Sequence, residues 1–359
     1  MAEEKVVRMG SEPDISVENI GLSHFDPDIL AHVVAGAEFE HRRLPGGESK
    51  MDLLQCALPH SFINRGIYSP AMLVTGTFSS NAITIGTMLR QREPTILNGS
   101  NVRLGTFQLY AEGAEMCYRA WPNATWMAFV LPRERLLEFC IDNLDQAPIL
   151  PGSGVSTIES KTAALGDLLL HRLRDLDRSL RFLGSLKNAA RLGESVENDL
   201  IARLANLVCT KPLIRRNTDR RRLRLCDEIL RDTMKLVEGD PSEILDLHAM
   251  TKTTGLSPRT LQRTFQMEYG LCPQEWLRVE RLNRVREDLL DPNNRDSITD
   301  SATRWGFFHL GRFSQYYREL FGERPSQTLA RRTVLHGTMP TWRSSQTEMP
   351  HTYQGASSA

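Results

Sequence analysis

Two glycines, Gly255 and Gly306, sit in matching surroundings, and this internal repeat restricts the fold more than any other feature of the chain. An aliphatic residue stands eight positions before each glycine, Leu247 and Ile298, and a hydrophobic one directly after, Leu256 and Phe307. Leu261 and Phe265 follow the first glycine at helical spacing, Phe313 and Tyr317 follow the second, and each copy closes on Gly-x-x-Pro, Gly270 to Pro273 and Gly322 to Pro325. In each copy a short helix is expected to bury one stripe, Leu247 and Thr251 or Ile298, Ala302 and Trp305. The glycine then supplies a tight turn that other residues enter at a steric cost. A second helix buries residues four apart and leaves its opposite face polar. Ser257 is a natural N-cap and Pro258 a natural first helical residue for that second helix. Two helices crossing over such a turn make a helix-turn-helix, whose second helix is the one that enters a major groove.

Counting around these second helices separates core from surface. Leu261 and Phe265 point inward in the first, and Leu310, Phe313 and Tyr317 in the second. Left outside are Arg259, Thr260, Gln262, Arg263 and Gln266 in the first copy and His309, Gly311, Arg312, Ser314 and Gln315 in the second, with Gly311 as a costly helical position. Arginine bonds guanine bidentately and glutamine does so with adenine, so these exposed faces carry the chemistry for reading base edges of double-stranded DNA. Between the copies, Trp276, Val279, Leu282, Val285 and Leu289 recur every three or four residues over Pro273 to Leu290, with Arg278, Arg281, Arg284 and Arg286 on other faces. The spacing predicts one long helix that braces two three-helix units into a single bipartite reader, sparing the ordering entropy of two loose modules.

The 359 residues carry 44 Lys and Arg against 44 Asp and Glu, which taken alone argues against a polyanionic partner. The average hides a split. Arg215 to Arg332 holds 22 basic and 18 acidic residues, the remainder 22 and 26. All but two of the basic residues in that stretch are arginine, the better fork for phosphate and base edges. Arg215, Arg216, Arg220, Arg221, Arg222 and Arg224 cluster ahead of the repeat. They read either as a solvated helix start or as a phosphate-contacting linker. On the second reading Arg215, Arg216 and Arg221 join Ser257 and Thr260 as candidate phosphate contacts.

Ahead of the repeat, short apolar runs such as Ala71 to Val74, Ala82 to Ile85 and Trp126 to Leu131 alternate with turn residues, Asn98-Gly99 among them. This texture predicts antiparallel β structure closing into a small barrel-like domain. From Pro132 the period becomes helical, sustained from Thr157 to Leu207 with a break at Gly193, as in a helical hairpin that packs subunits together or covers a sheet. The fold class is therefore α+β, with an all-α C-terminal part of two helix-turn-helix units joined by a long helix. The expected organisation is a flexible tail over 1–19 and a regulatory or dimerisation domain over 20–212, β-rich in 38–131 and helical in 132–210. A DNA-binding domain over 213–335 and a second flexible tail over 336–359 complete it.

Other function classes find little support. A polar N-terminus offers no secretory signal and no apolar run approaches a membrane span, so a cytoplasmic protein with no membrane partner is expected. The six cysteines form no CxxC pair and read as buried thiols. His24, His32, His41 and His60 have no metal-ligand spacing, and no GxSxG motif or phosphate loop accompanies them. Neither a catalytic residue nor a metal or cofactor is expected. Trp121, Trp126, Phe129, Phe107 and Tyr110 are either core or the lining of a ligand site in the β domain.

Ala302 to Ser326, with Trp305-Gly-Phe-Phe-His-Leu-Gly-Arg-Phe313 and Gly322-Glu-Arg-Pro325 in register, resembles the signature of the AraC/XylS transcription regulators, and Gly255 to Phe265 fits that family's first helix-turn-helix. The resemblance covers residues 221–329 and departs from the family at Thr251, where alanine is usual. It implies two helix-turn-helix units in adjacent major grooves, base reading by Arg259, Gln262 and Arg263 in the first and His309, Arg312 and Gln315 in the second, and activation through contact with RNA polymerase. Within the family, the plan of the chain is most similar to regulators of ethanolamine-utilisation operons, which puts ethanolamine with cobalamin among the effectors to consider. A regulator answering a small-molecule effector, working as a homodimer, is the leading expectation. Its alternative is a constitutive or partner-controlled DNA-binding protein whose N-terminal domain only dimerises.

Overall fold

A computed structural model describes residues 16–159, 163–183, 189–209, 213–216, 228–229, 231–233, 235 and 247–332. The N-terminal unit runs β1 (Ser16–Leu22), α1 (Pro27–Leu30), β2 (Glu38–Leu44), β3 (Met51–Ala57), β4 (Phe62–Tyr68), β5 (Ala71–Thr77), β6 (Ile83–Arg90), β7 (Thr95–Leu97), β8 (Ser100–Val102), β9 (Thr106–Tyr110), β10 (Glu115–Ala120) and β11 (Ala124–Leu131). It continues with α2 (Arg133–Leu144), β12 (Val155–Glu159), α3 (Ala163–Leu183), α4 (Ala189–Cys209) and β13 (Leu213–Arg216). The strands form two antiparallel sheets, one in the order β1-β3-β4-β11-β6-β9-β12-β13 and one in the order β2-β5-β10-β7-β8. The Asn98-Gly99 signal marks the β7–β8 hairpin, with φ of 48° and 74° at the two turn residues as a type I′ turn requires.

The α+β class stands, with three differences from the sequence expectation. The sheets stack without closing into a barrel, and β1 and β13 are the outer strands of the larger sheet among the described residues. The larger sheet also overruns both expected boundaries: β1 begins at Ser16, inside the stretch expected to be a tail, and β13 extends past residue 212. Finally, Val155–Glu159 is a strand, paired with β9 from Val155 opposite Tyr110 to Glu159 opposite Thr106, where helical periodicity had been read. Val-Ser-Thr-Ile-Glu is β-branched and alternating, and the local preference for extension overrides the neighbouring period of 3.6.

Alternation along the large sheet creates two apolar layers. Ile85, Phe107 and Phe129 point to one side, where Leu170, Leu173, Leu180, Leu200 and Leu204 of α3 and α4 cover them. Met88, Tyr110 and Val130 point to the other side, toward the second sheet. Between the sheets remains a cavity of about 60 Å³. Of the five aromatics considered as lining, Tyr110 and Trp126 face it. Phe107 and Phe129 belong instead to the helix-covered layer, and Trp121 lies beyond β10 with the Arg119 guanidinium 5.1 Å from its ring. Cys56, Cys140 and Cys209 are buried, Cys117 and Cys272 half-buried, and Cys226 lies outside the described residues.

The C-terminal unit contains α5 (Leu247–Thr254), α6 (Pro258–Glu268), α7 (Pro273–Leu290), α8 (Ile298–Arg304), α9 (Leu310–Phe321) and α10 (Pro325–Arg331). The brace runs over the expected residues, but it is buried on two faces. Trp276, Val279, Leu282, Val285 and Leu289 pack within the unit. Glu280, Asn283 and Arg286, each buried, face the N-terminal unit. Arg42 on β2 donates to Glu280 at 2.9 Å and Glu287 at 3.0 Å; Arg43 N donates to the Asn283 Oδ1 at 3.0 Å, and Asn283 Nδ2 returns a bond to the Arg43 carbonyl at 3.1 Å. Arg286 donates to the Phe25 carbonyl at 2.8 Å and also reaches Glu323, Tyr317 and Thr328. Burial opposes the charge on Arg42, but Glu280, Glu287 and Glu40 outweigh it and hold the guanidinium protonated.

Two predictions follow from this packing. Glu280→Ala leaves Arg42 under-compensated in a buried site, so the two units should uncouple at a cost of about 3 kcal/mol, seen as a split urea transition. Burial holds His41 neutral with a pKa of about 3, and burial together with Arg331 and Arg286 lowers His24 to about 4, against 6.5 when unfolded. The unfolded chain then binds more protons between those values, so stability rises with pH there and is lost as pH falls below 6.5. Urea midpoints should drop from pH 7 to pH 5, and His41→Gln should flatten the decline.

Candidate nucleic-acid interface

Both glycines on which the repeat rests have positive φ, 67° at Gly255 and 78° at Gly306, so the turn geometry read from sequence is present in both copies. At Gly306 an added Cβ would also meet the Arg281 guanidinium at 3.3 Å. Ser257 caps α6 by accepting from Thr260 N at 3.2 Å, and Pro258 opens the helix. Leu261, Phe265, Phe313 and Tyr317 are buried as expected. Leu310 is not: it lies at the start of α9 and remains 39% exposed, because the inward face of that helix begins at Phe313. In α5 the stripe centres on fully buried Met250, with Leu247 and Thr251 half-buried beside it.

Each recognition helix is fixed to the brace by aromatic and ionic contacts. Phe265 and Tyr269 pack edgewise and tilted against Trp276, with ring centroids 5.3 and 5.7 Å away. On the other side Trp305 Nε1 donates to Asp288 at 2.8 Å, and Arg278 stacks over Tyr316 at 4.5 Å. Arg304 pairs with Asp288 and Asp296. These contacts hold the two helix-turn-helix units at one spacing.

The six candidate base readers are all exposed: Arg259, Gln262 and Arg263 on α6, His309 as the N-cap residue of α9, and Arg312 and Gln315 on α9. Arg259, Arg263 and Arg312 have no acidic partner among the described residues, whereas Arg284, Arg286, Arg304 and Arg331 are all neutralised by carboxylates. Arg259, Arg263 and Arg312 on the recognition helices are therefore among the arginines available to a polyanion. Gln315 Nε2 donates to Glu319 at 2.9 Å, a surface bond that exchange with a base edge could replace. Ser257 and Thr260 are exposed at the α6 N-terminus, with their hydroxyls 2.9 Å apart. Arg215 and Arg216 lie on β13, opposite Thr157 and Ser156, at the edge of the large sheet; Arg221 lies outside the described residues. Sequence reasoning missed Arg318 and Arg324, which line an open hollow with Ser314 and Gln315. The signal was available, since Arg318 follows Gln315 by three residues and shares its helix face.

Residues 250–331 match the model of a helix-turn-helix domain. A XylDLEGF operon transcriptional activator of Pseudomonas putida is 31% identical over 167 residues, 46% of this chain and 50% of its own length. The C-terminal unit is of the AraC/XylS type. A second relative of the AraC/XylS-type unit, the probable thc operon regulatory protein of Rhodococcus erythropolis, is 37% identical over 108 residues, 30% of this chain and 32% of its own. Among solved structures, a probable AraC family transcriptional regulator from Rhodopseudomonas palustris CGA009 aligns at 32% identity over 29% of this chain and 96% of that one, with a TM-score of 0.25. The chain spans about half the length of the XylDLEGF activator that it matches. Among the described residues no helix is long and apolar enough to cross a membrane.

Gly311 occupies an exposed site in the first turn of the second AraC/XylS-type recognition helix, where an added Cβ meets nothing within 4 Å. Gly311→Ala should therefore stabilise the protein by about 0.5–1 kcal/mol, read as a raised urea midpoint at unchanged slope.

Proposed function

We propose that the protein is a sequence-specific DNA-binding regulator of transcription in which α6 and α9 enter two adjacent major grooves. The observation that carries this reading is the pairing of two exposed recognition helices, rich in unneutralised arginine and glutamine, with one rigid brace. Arg259, Gln262 and Arg263 read one half of the site and His309, Arg312 and Gln315 the other, while Ser257, Thr260, Arg318 and Arg324 contact phosphates beside them. Arg215, Arg216 and Arg221 add phosphate contacts from the connecting segment. The relatives named as operon transcriptional activators support an activator; on this proposal it acts in the cytoplasm through contact with RNA polymerase.

The N-terminal unit, residues 20–212 with the strands that overrun them, acts as the sensor, its intersheet cavity taking the effector, and α3 and α4 serve a homodimer. The DNA-binding unit, 213–335 apart from β13, answers it through the β2–α7 contact. Selection from random DNA should return an asymmetric motif of about two helical turns. Arg263→Ala and Arg312→Ala should each relax specificity in a different half at about 1–3 kcal/mol. A motif with a single half, or equal weakening on every sequence, would defeat the tandem-reader model.

A further inference from the structure

The intersheet cavity is lined mainly by rings and thioethers. Phe39, Phe78, Tyr110 and Trp126 supply flat walls, with Phe78 and Tyr110 centroids 4.1 Å apart, and Met88 and Met116 supply adaptable ones. Its polar groups are nearly all satisfied within the wall. His41 Nε2 lies 3.3 Å from the Tyr68 hydroxyl, the Tyr118 hydroxyl reaches Met88 Sδ at 3.2 Å, Thr87 donates to the Thr106 carbonyl at 2.8 Å, and Gln108 donates to the Thr106 hydroxyl at 3.1 Å. The exceptions are His41, whose buried Nδ1 has no hydrogen-bond partner among the described residues, and Tyr110. The Tyr110 side chain is 6% exposed and lines the cavity, and its hydroxyl has no hydrogen-bond partner among the described residues. A phenolic hydroxyl can donate or accept, so it offers one polar anchor in an apolar box.

Charge and size narrow the occupant. No Lys, Arg, Asp or Glu lines the cavity, and its one histidine is neutral, so a carboxylate or an ammonium would be desolvated there without a counter-ion. That removes ethanolamine as an occupant. The volume of about 60 Å³, against roughly 10–15 Å³ for one water, admits a single ring only as the Met88 and Met116 thioethers yield, and excludes cobalamin. We infer that the cavity takes an uncharged, single-ring aromatic molecule bearing one hydroxyl, carbonyl or amide group that hydrogen-bonds to the Tyr110 hydroxyl. This rests on the reading of the N-terminal unit as the sensor.

The test uses the full chain, thermal unfolding and tryptophan fluorescence, with phenol, benzamide, toluene and benzoate at millimolar concentration. Phenol and benzamide should raise the unfolding midpoint, and benzoate, the same ring with a charge, should not. Tyr110→Phe should weaken phenol and benzamide by up to about tenfold and leave toluene unchanged. Val74→Phe, which fills the cavity, should abolish all three responses. Benzoate binding that is lost in Val74→Phe, or phenol and benzamide binding indifferent to Tyr110→Phe, would overturn the ligand class while leaving a sensor in place. If phenol and benzamide bind as expected but leave affinity for the selected bipartite DNA unchanged, the ligand class stands and the sensor reading fails. No binding of either phenol or benzamide overturns the inference outright.

Discussion

The seam between β2 and α7 is the contact on which the relation between the two units depends. β2 is the edge strand of the smaller sheet, and an uncovered edge presents backbone groups that need partners. The Asn283 carboxamide supplies both, accepting from the Arg43 N–H and donating to the Arg43 carbonyl, as a neighbouring strand would. Arg42 sets its charge against Glu280 and Glu287 beside that pair, and Arg43 reaches the Leu320 and Gly47 carbonyls. Arg286 extends the seam to Phe25, with its guanidinium over both the Phe25 and Phe321 rings. A buried pair of this kind adds little net stability over an apolar equivalent. What it supplies is direction: Glu280, Asn283 and Arg286 each have one set of partners, so the brace can dock in one register.

Because the brace is gripped on one face by the N-terminal unit and on another by both helix-turn-helix units, the recognition helices inherit a fixed setting. Burial of Glu323 would raise its pKa, but Arg331 and Arg286 outweigh that and hold it at about 2, so the ion network around the second unit persists through neutral and mildly acid conditions. The exposed faces of α6 and α9 carry none of these ties. Structure and recognition thus divide the arginines of the C-terminal unit: Arg284, Arg286, Arg304 and Arg331, paired with carboxylates, set geometry, and exposed Arg259, Arg263 and Arg312, without such partners among the described residues, face outward for phosphate and base edges.

The C-terminal unit was legible in the sequence because its constraints are local. A positive φ at Gly255 or Gly306, a cap at Ser257 and a four-residue stripe at Leu261 and Phe265 each depend on residues a few positions away, and each is where periodicity places it. The brace was only half legible. Its apolar face follows the helical period, but Glu280, Asn283 and Arg286 look like an ordinary solvated face until Arg42 and Arg43, some 240 positions earlier, are brought against them. The same holds for the sheets. Asn98-Gly99 announces its hairpin locally, whereas whether the sheets close, and that Val155–Glu159 joins β9, are decided by pairings far apart in the chain. For the base readers, sequence could name the exposed face; that their arginines lack carboxylate partners is visible only in three dimensions.

β2 also joins the seam to the cavity. Phe39 and His41 line the cavity, and Arg42, on the alternate face, engages the brace. A molecule that merely fills existing space beside Phe39 and His41 would bind both settings of the strand equally and shift nothing, however tightly it bound. Only a ligand whose contacts differ between two settings of β2 can move Arg42 relative to Glu280 and Glu287, and the small volume makes such a difference hard to avoid. A ring entering between Phe39 and Trp126 must displace a wall, and the thioethers of Met88 and Met116 yield more readily than the strands do. Whether occupancy is felt at the DNA-binding helices therefore turns on the rigidity of one strand and the ions on its outer face.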